Sequence, residues 1–363
     1  MKKSLLLIDE ELSTDYRVNK TIDILNKNSL QIINCSKYNF YCSSSFFFLF
    51  KNLIFNFYNF YRIKKKYDIK FNNLFLGLKR SVYNWCKSKL LAEKISEKNE
   101  YHLIFANDLN CGIVGKVLKT EKNVFIYDSH EIQFHRNRKN SFFRSLFDYS
   151  IEKEIVKKAD EIRVVNVPIK KLYEDIYNIN SSKIKVVNNN HFKCYYGFYK
   201  QNFNYAEIGI LYIGGGIKGR MLEKLAKEAK SLDIDVFAFF INEIPQLAYD
   251  YKWYVGKKDY IEEVKELIKN KTLLMWCVND TSCLSYKLAL PNKFFQAVAL
   301  GIPVIVYEGT YLADIVKKYD IGYIYKNNLS DIIDSVKNTE KFLKIVDNMN
   351  NFQKLIYEKN LVL

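Results

Sequence analysis

Short apolar runs alternate along this chain with stretches whose apolar residues recur every three or four positions. SLLLID (4–9) and LQIINCS (30–36) open the series, with a helical pattern between them from about Tyr16. YHLIFAND (101–108), NVFIYDSHE (123–131), DEIRVVN (160–166) and KIKVVNN (183–189) continue it. Near-continuous apolar strands separated by helices predict a parallel sheet covered on both faces. Residues 191–206, HFKCYYGFYKQNFNYA, follow neither period and are expected to be a linker. The alternation then restarts with EIGILYIGGG (207–216), a helix from near Gly219, IDVFAFFI (234–241), TLLMWCV (272–278), IPVIVYE (302–308) and GYIYK (322–326). From about Thr339 the pattern is helical and has no strand partner. The expected organisation is α/β, with two doubly wound, Rossmann-like domains over 1–190 and 207–338. A final helix over 339–363 is expected to pack back toward the N-terminal domain.

One segment breaks the rhythm: FFFLFKNLIFNFYNFYRIKKK (46–66). Wound as a helix, it places Lys51, Asn52, Asn56 and Asn59 on one narrow arc, fills the rest with aromatic and aliphatic residues, and ends in a basic cluster. That fits a helix lying in an anionic membrane interface, and equally a core helix with a solvated basic end.

Composition narrows the class. With 363 residues, two domains of ordinary size are expected. The net charge of +16 is spread along the chain rather than gathered in a patch, a weak footprint for nucleic acid, and no nucleic-acid partner is expected. Seven cysteines are dispersed without a Cys-x-x-Cys pair, which points to reduced thiols and no metal site. MKKSLLLIDEE has too short an apolar run for a signal peptide, and no run is long enough to span a bilayer. A cytoplasmic protein is expected, either soluble or peripheral on the inner face of the membrane.

In doubly wound domains ligands bind beyond the carboxyl ends of the strands, which selects a few loops. Gly214, Gly215 and Gly216 follow a strand and precede a helix, with Lys218 and Arg220 close behind. Glycines let the backbone approach an anion, the helix start offers N–H groups, and basic side chains add charge, so this is a candidate phosphate site. LPNKFFQAVALGIPVIV (290–306) reads as a proline turn, a short helix closed by Gly301, and a strand launched by Pro303. Asn292 and Lys293 would project near that helix N-terminus, with Gln296 one turn later on the same side. His130, Glu131 and Asp108 stand at strand ends in the first domain. His102, His135 and His191 are expected to be structural.

ALPNKFFQAVALGIPVIV closely resembles the C-terminal-domain signature of retaining GT-B glycosyltransferases, most of all the family 4 (group 1) branch that builds bacterial surface polysaccharides. ILYIGGGIKGRMLEKL resembles that family's donor-diphosphate loop, FIYDSHE its N-domain strand end, KKADEIRVVNVPIKKLYEDIY the segment that follows, and DYRVNKTIDIL its first helix. The resemblance covers most of the chain in order and is thin over residues 38–80. It implies two Rossmann-like domains facing a cleft, an acceptor-binding N-terminal domain and a donor-binding C-terminal one. It also implies a nucleoside-diphosphate sugar as substrate, a glycan or lipid-linked acceptor, retention of anomeric configuration, and neither metal nor other cofactor. By the same resemblance Arg220, or next Lys218, meets the donor diphosphate, with Asn292 and Lys293 near the donor. His130 stands beside the reacting sugar, Glu131 orients it or caps the next helix, and Asp108 faces the same cleft. Two departures stand out. The family's pair of glutamates eight positions apart falls on Leu288 and Gln296, and its loop arginine falls on Gly215. A nucleotide-sugar 2-epimerase on the same fold, or a non-catalytic subunit of a glycan-assembly complex, is the alternative.

Overall fold

The computed structural model describes residues 3–9, 21–22, 25, 30–37, 46–71, 73–96, 100–136, 141–202, 207–216, 219–240, 252–255 and 260–363, with 46–55 and 252–255 as backbone alone. The helix expected from Tyr16 and the candidate Lys218 lie outside these residues. The chain divides into two compact units, Met1–His191 with 283–285 and 363, and Phe192–Ser282 with Tyr286–Val362.

The first unit runs β1 (Ser4–Ile8), β2 (Leu30–Asn34), α1 (Phe46–Lys66), α2 (Leu78–Ser96), β3 (Leu103–Asn107), α3 (Asp108–Leu118), β4 (Val124–Ser129), α4 (Phe142–Lys158), β5 (Glu161–Val164), α5 (Val167–Tyr177) and β6 (Ile184–Val186). Its strands form a parallel sheet in the order β2-β1-β3-β4-β5-β6. Every residue of β1 is buried, as its unbroken apolar sequence requires between two helical layers. The edge strand β2 is less covered, with Gln31 and Ile32 exposed. Helix starts are written locally: the Asn166 side chain accepts the Ile169 N–H at the head of α5, and the Ser141 hydroxyl accepts the Arg144 N–H at the head of α4.

Helix α1 is neither wholly core nor wholly surface. Phe60 and Ile63 are buried, and Phe60 meets the rings of Phe134, Phe142 and Tyr149. The polar arc read from the sequence is split: Asn56 is buried and accepts from Lys153 Nζ at 3.0 Å, whereas Asn59 is exposed. Phe57, Tyr58 and Tyr61 are exposed large apolar side chains on the same helix. Among the described residues no helix is long and apolar enough to cross a membrane.

The second unit runs α6 (Phe198–Asn202), β7 (Ile208–Gly214), α7 (Leu222–Ser231), β8 (Asp235–Phe240), β9 (Lys252–Val255), α8 (Tyr260–Asn270), β10 (Thr272–Trp276), α9 (Leu284–Leu288), α10 (Asn292–Leu300), β11 (Val304–Tyr307), α11 (Tyr311–Tyr319), β12 (Gly322–Tyr325), α12 (Ser330–Lys337) and α13 (Thr339–Tyr357). Its parallel sheet has the order β12-β11-β10-β7-β8-β9. Strand β9 was not foreseen; four residues at a sheet edge carry too short a pattern to stand out.

One expectation needs correction. The stretch read as a linker packs into the second unit: Tyr199 is fully buried and donates to the Leu273 carbonyl, and the Tyr195 N–H donates to that of Ala299. The final helix, α13, packs on its own unit. Its Phe352 ring meets Phe294 and Tyr319, and Gln353 Nε2 donates to the Ala299 carbonyl. Phe342, Ile345, Val346, Met349 and Phe352 form one apolar stripe, and α10 offers the complementary face.

Candidate functional site

In the second unit the strand order reverses between β7 and β10, and a doubly wound sheet binds ligands at that point. Strand β7 ends in the glycine run, where Gly214 has φ +148 and the Gly215 carbonyl accepts from the Tyr212 hydroxyl at 2.7 Å. A side chain at Gly215 would stand in open space. Gly219 has φ +102, and a Cβ there would come within 2.5 Å of the Tyr286 ring. Glycine is therefore required to bring the chain past Tyr286 and place Arg220.

Arg220 is anchored at both ends. Its carbonyl accepts from Trp276 Nε1 at 2.9 Å, its guanidinium donates to Asn279 Oδ1, and it stands 5.2 Å from the centre of the Tyr286 ring. Lys293 enters the same cluster from α10. The proline precedes this helix by one position, and Gly301 closes it with φ +78. Lys293 is only 5 % exposed, and its ammonium lies 4.9 Å from the centre of the Tyr212 ring. It has no hydrogen-bond acceptor among the described residues. Burial, and then the charge of Arg220, hold its pKa well below the ordinary lysine value, with only the Cys277 thiol opposing. Two cations thus converge beside a glycine loop and a helix N-terminus, an arrangement that favours a phosphate-sized anion.

The other donor-side candidates divide. Asn292 is exposed at the first position of α10, and its side chain makes no hydrogen bond to a described residue. Gln296 is buried, and its amide nitrogen donates to the Tyr260 hydroxyl at 2.5 Å. Gln296→Leu removes that bond, and a loss of about 0.5–1.5 kcal/mol in stability is expected. Gln296→Glu is expected to keep the contact, because the Tyr260 hydroxyl can turn to donate to a carboxylate. Melting curves of both variants with and without nucleotide check this, and a Leu variant more stable than the parent would refute it. Sequence reasoning missed Tyr212, Asn279 and Tyr286. Asn279 had a usable signal, its position just past a strand at the reversal; the tyrosines had none.

In the first unit the order reverses between β1 and β3. Asp108, the first residue of α3, has φ +61. Its Oδ1 accepts from the His130 N–H at 3.1 Å and from Gln133 Nε2 at 2.7 Å. Its Oδ2 lies 4.0 Å from His130 Nδ1, and Asp128 Oδ2 lies 3.7 Å from His130 Nε2. The imidazole is therefore flanked by two carboxylates, of which Asp128 escaped the sequence reading although it precedes His130 by two positions. Glu131, expected to orient His130 or to cap the next helix, does neither. Its side chain lines a neighbouring cavity of about 640 Å³ together with Asp9, Arg80, Asn110, Arg136 and Asp148. Burial disfavours the charge on Arg136, but Asp108, Glu131 and Asp148 outweigh it and raise its pKa. Burial likewise pushes the Asp148 carboxyl up to about 6, against the pull of Arg144 and Arg136. Among the described residues no three His, Cys, Asp or Glu side chains are grouped to hold a metal ion.

No protein-family model and no curated protein matches the sequence. Solved structures do. Anabaena HepE in complex with UDP-glucose matches at 13 % identity and TM-score 0.58, over 98 % of this chain and 95 % of that one. Sucrose-phosphate synthase from Thermosynechococcus elongatus matches at 16 % identity and TM-score 0.56, over 75 % of this chain and 74 % of that one. A protein described as a UDP-N-acetylglucosamine 2-epimerase from Listeria monocytogenes matches at 11 % identity and TM-score 0.50, over 100 % of this chain and 98 % of that one. At such identities the likeness establishes the fold: the chain has the GT-B architecture of two Rossmann-like domains.

Proposed function

We propose that this chain is a glycosyltransferase that takes its sugar from a nucleoside-diphosphate donor. The observation that carries the reading is the Lys293–Arg220 pair, a buried ammonium beside a guanidinium at the reversal point of the second sheet. When a glycosidic phosphate ester breaks, negative charge grows on the departing diphosphate. Cations already in place stabilise that charge without reorganising. The rings of Tyr212 and Tyr286 stand against Lys293 and Arg220, and the loop at Gly214, Gly215 and Gly216 leaves the backbone free to approach the phosphates. In the first unit His130 supplies the group that hydrogen-bonds the reacting sugar or acceptor, kept in orientation by Asp108 and Asp128. Retention of anomeric configuration, a lipid-linked bacterial surface glycan as acceptor, and a cytoplasmic location complete the reading.

Calorimetry against a panel of nucleoside diphosphates and their sugars tests it. Arg220→Ala is expected to weaken binding of the preferred nucleotide by about 10- to 100-fold, the worth of one charge-assisted contact, with the fold retained. No binding by the parent protein, or equal binding by the variant, would remove the site. Product analysis separates the chemistries. Release of nucleoside diphosphate with sugar passed to an acceptor or water supports transfer; a nucleotide sugar recovered with inverted carbon 2 is epimerisation. Tight binding with neither product is a non-catalytic subunit.

A further inference from the structure

Three adjacent large apolar side chains stand in solvent at one turn of the first unit. Leu74, Phe75 and Leu76 are 59 %, 61 % and 47 % exposed. The turn is held in place. The N–H groups of Phe142 and Phe143 donate to the Asn73 and Leu74 carbonyls, while Asn73 Oδ1 accepts from the N–H groups of Phe75 and Leu76. A continuous run of rings joins it to α1. Phe75 stacks on Phe143 at 4.7 Å, Phe143 meets Phe142 at 5.3 Å, and Phe142 meets Phe57 at 5.6 Å. Phe57, Tyr58 and Tyr61 continue the exposed surface along α1, and Tyr83 extends it onto α2.

Basic residues border this surface. Lys65 near the end of α1, and Lys79 and Arg80 near the start of α2, are exposed and make no ion pair among the described residues. The acidic groups nearby are few: Asp175 is taken by Lys66 and Tyr67, and Asp68 lies 3.8 Å from Lys70. Protein-binding patches are depleted in lysine relative to the rest of a protein surface. Exposed aromatics and leucines interleaved with unpaired lysines and arginines suit the boundary of a bilayer, where rings enter the headgroup layer and cations meet anionic lipid.

We propose that the turn Leu74–Leu76 and the outer face of α1 form one docking surface for an anionic lipid bilayer. The surface differs from the arc expected from the sequence alone, because the buried side of α1 faces α4 and the turn contributes half the apolar tip. Helix α2, which carries Lys79 and Tyr83 on this surface, also sends Ser81, Asn84 and Lys87 to line the 640 Å³ cavity. Docking would therefore bring that cavity to a membrane-borne acceptor, a consequence that rests on the proposed function.

Sedimentation of the full chain with phosphatidylglycerol–phosphatidylcholine vesicles, and with pure phosphatidylcholine vesicles, tests the inference. Binding to the anionic vesicles only, weakened at least tenfold by 1 M salt, is expected. Phe75→Ser with Leu76→Ser, and separately Lys65→Glu with Lys79→Glu, should each cut it at least tenfold at unchanged melting temperature and unchanged nucleotide affinity. The charge-reversed pair keeps the test decisive should the serine pair disturb packing on Phe143. Absence of binding by the parent protein, equal binding to both vesicle types, or full binding by the charge-reversed variant would overturn the proposal. So would light scattering that shows a lipid-free dimer broken by the serine pair, since the surface would then join two copies of the chain. Lys293→Met should lose nucleotide and keep vesicle binding, so failure of this inference and failure of the proposed function are read separately.

Discussion

Lys293→Met is expected to raise the melting temperature of the ligand-free protein while abolishing its tight binding of a nucleotide sugar. The lysine is 5 % exposed, has no described hydrogen-bond acceptor, and shares its surroundings with Arg220. Burying an unpaired charge costs several kcal/mol, and part of that cost is evaded by releasing the proton. Methionine has similar length and no charge, so a gain of about 1–3 kcal/mol is expected. The same change removes a charge-assisted contact to phosphate, a loss of roughly 10- to 100-fold in affinity. The lowered pKa adds a proton signature. Below 10.5, the ordinary lysine value, the unfolded chain holds a proton that the folded chain releases more readily, so this group's contribution to stability rises with pH. A bound diphosphate restores the charge. Nucleotide binding should therefore take up protons, weaken as pH rises, and show heats that depend on the buffer's ionisation enthalpy. Calorimetry in two buffers measures this. A variant that loses stability, or keeps its affinity, would make Lys293 a packing residue.

Glu152→Ala should be among the most damaging changes in the first unit, costing on the order of 4 kcal/mol. The carboxylate is fully buried and accepts from the hydroxyls of Tyr127, Tyr173 and Tyr177 at 2.9, 2.6 and 2.6 Å. Alanine strands those donors in the interior and leaves a cavity. Tyr173 also reaches Ser129, whose hydroxyl donates to the Glu131 carbonyl, so the cluster braces the turn that carries His130. Burial pushes the Glu152 pKa up to about 7, with the three tyrosines pulling the other way. A folded-state value above the unfolded 4.5 means the folded chain binds the extra proton. That contribution is complete below pH 4.5 and is lost as pH rises through about 7. Glu152→Gln keeps an acceptor oxygen and does not titrate, so its melting temperature should fall less than the parent's between pH 5 and pH 8. Asp148, raised to about 6, adds a further pH-dependent contribution common to parent and variant. Identical slopes for parent and variant would show that Glu152 stays ionised throughout.

Local chemistry determined much of this protein from the sequence alone. Short apolar runs such as SLLLI and TLLMW, alternating with helical patterns, fit strands covered on both faces, and helices between them favour parallel pairing. The breakers around α10 behave as written, since Gly301 needs a positive φ that few other residues tolerate. The glycine loop and Arg220 were legible because backbone permissiveness and a fixed charge leave local marks.

Tertiary structure decided the rest, because burial and charge balance depend on neighbours that are distant in sequence. Lys293 read as a donor-side lysine at a helix start, but its burial was not legible; Tyr212, Cys277 and Arg220 surround it as a disfavoured cation. Asn56 read only as part of a polar arc; Lys153, 97 positions away, supplies its partner inside. The Tyr195–Tyr199 segment read as a linker because its aromatics have no period of their own. They fit sites prepared by β10 and α10. Glu152 gave no local sign at all, since only the folded sheet brings three tyrosine hydroxyls to one carboxylate. Periodicity reports which face of an element is apolar, but contacts between elements settle which polar atoms are left to bind something else.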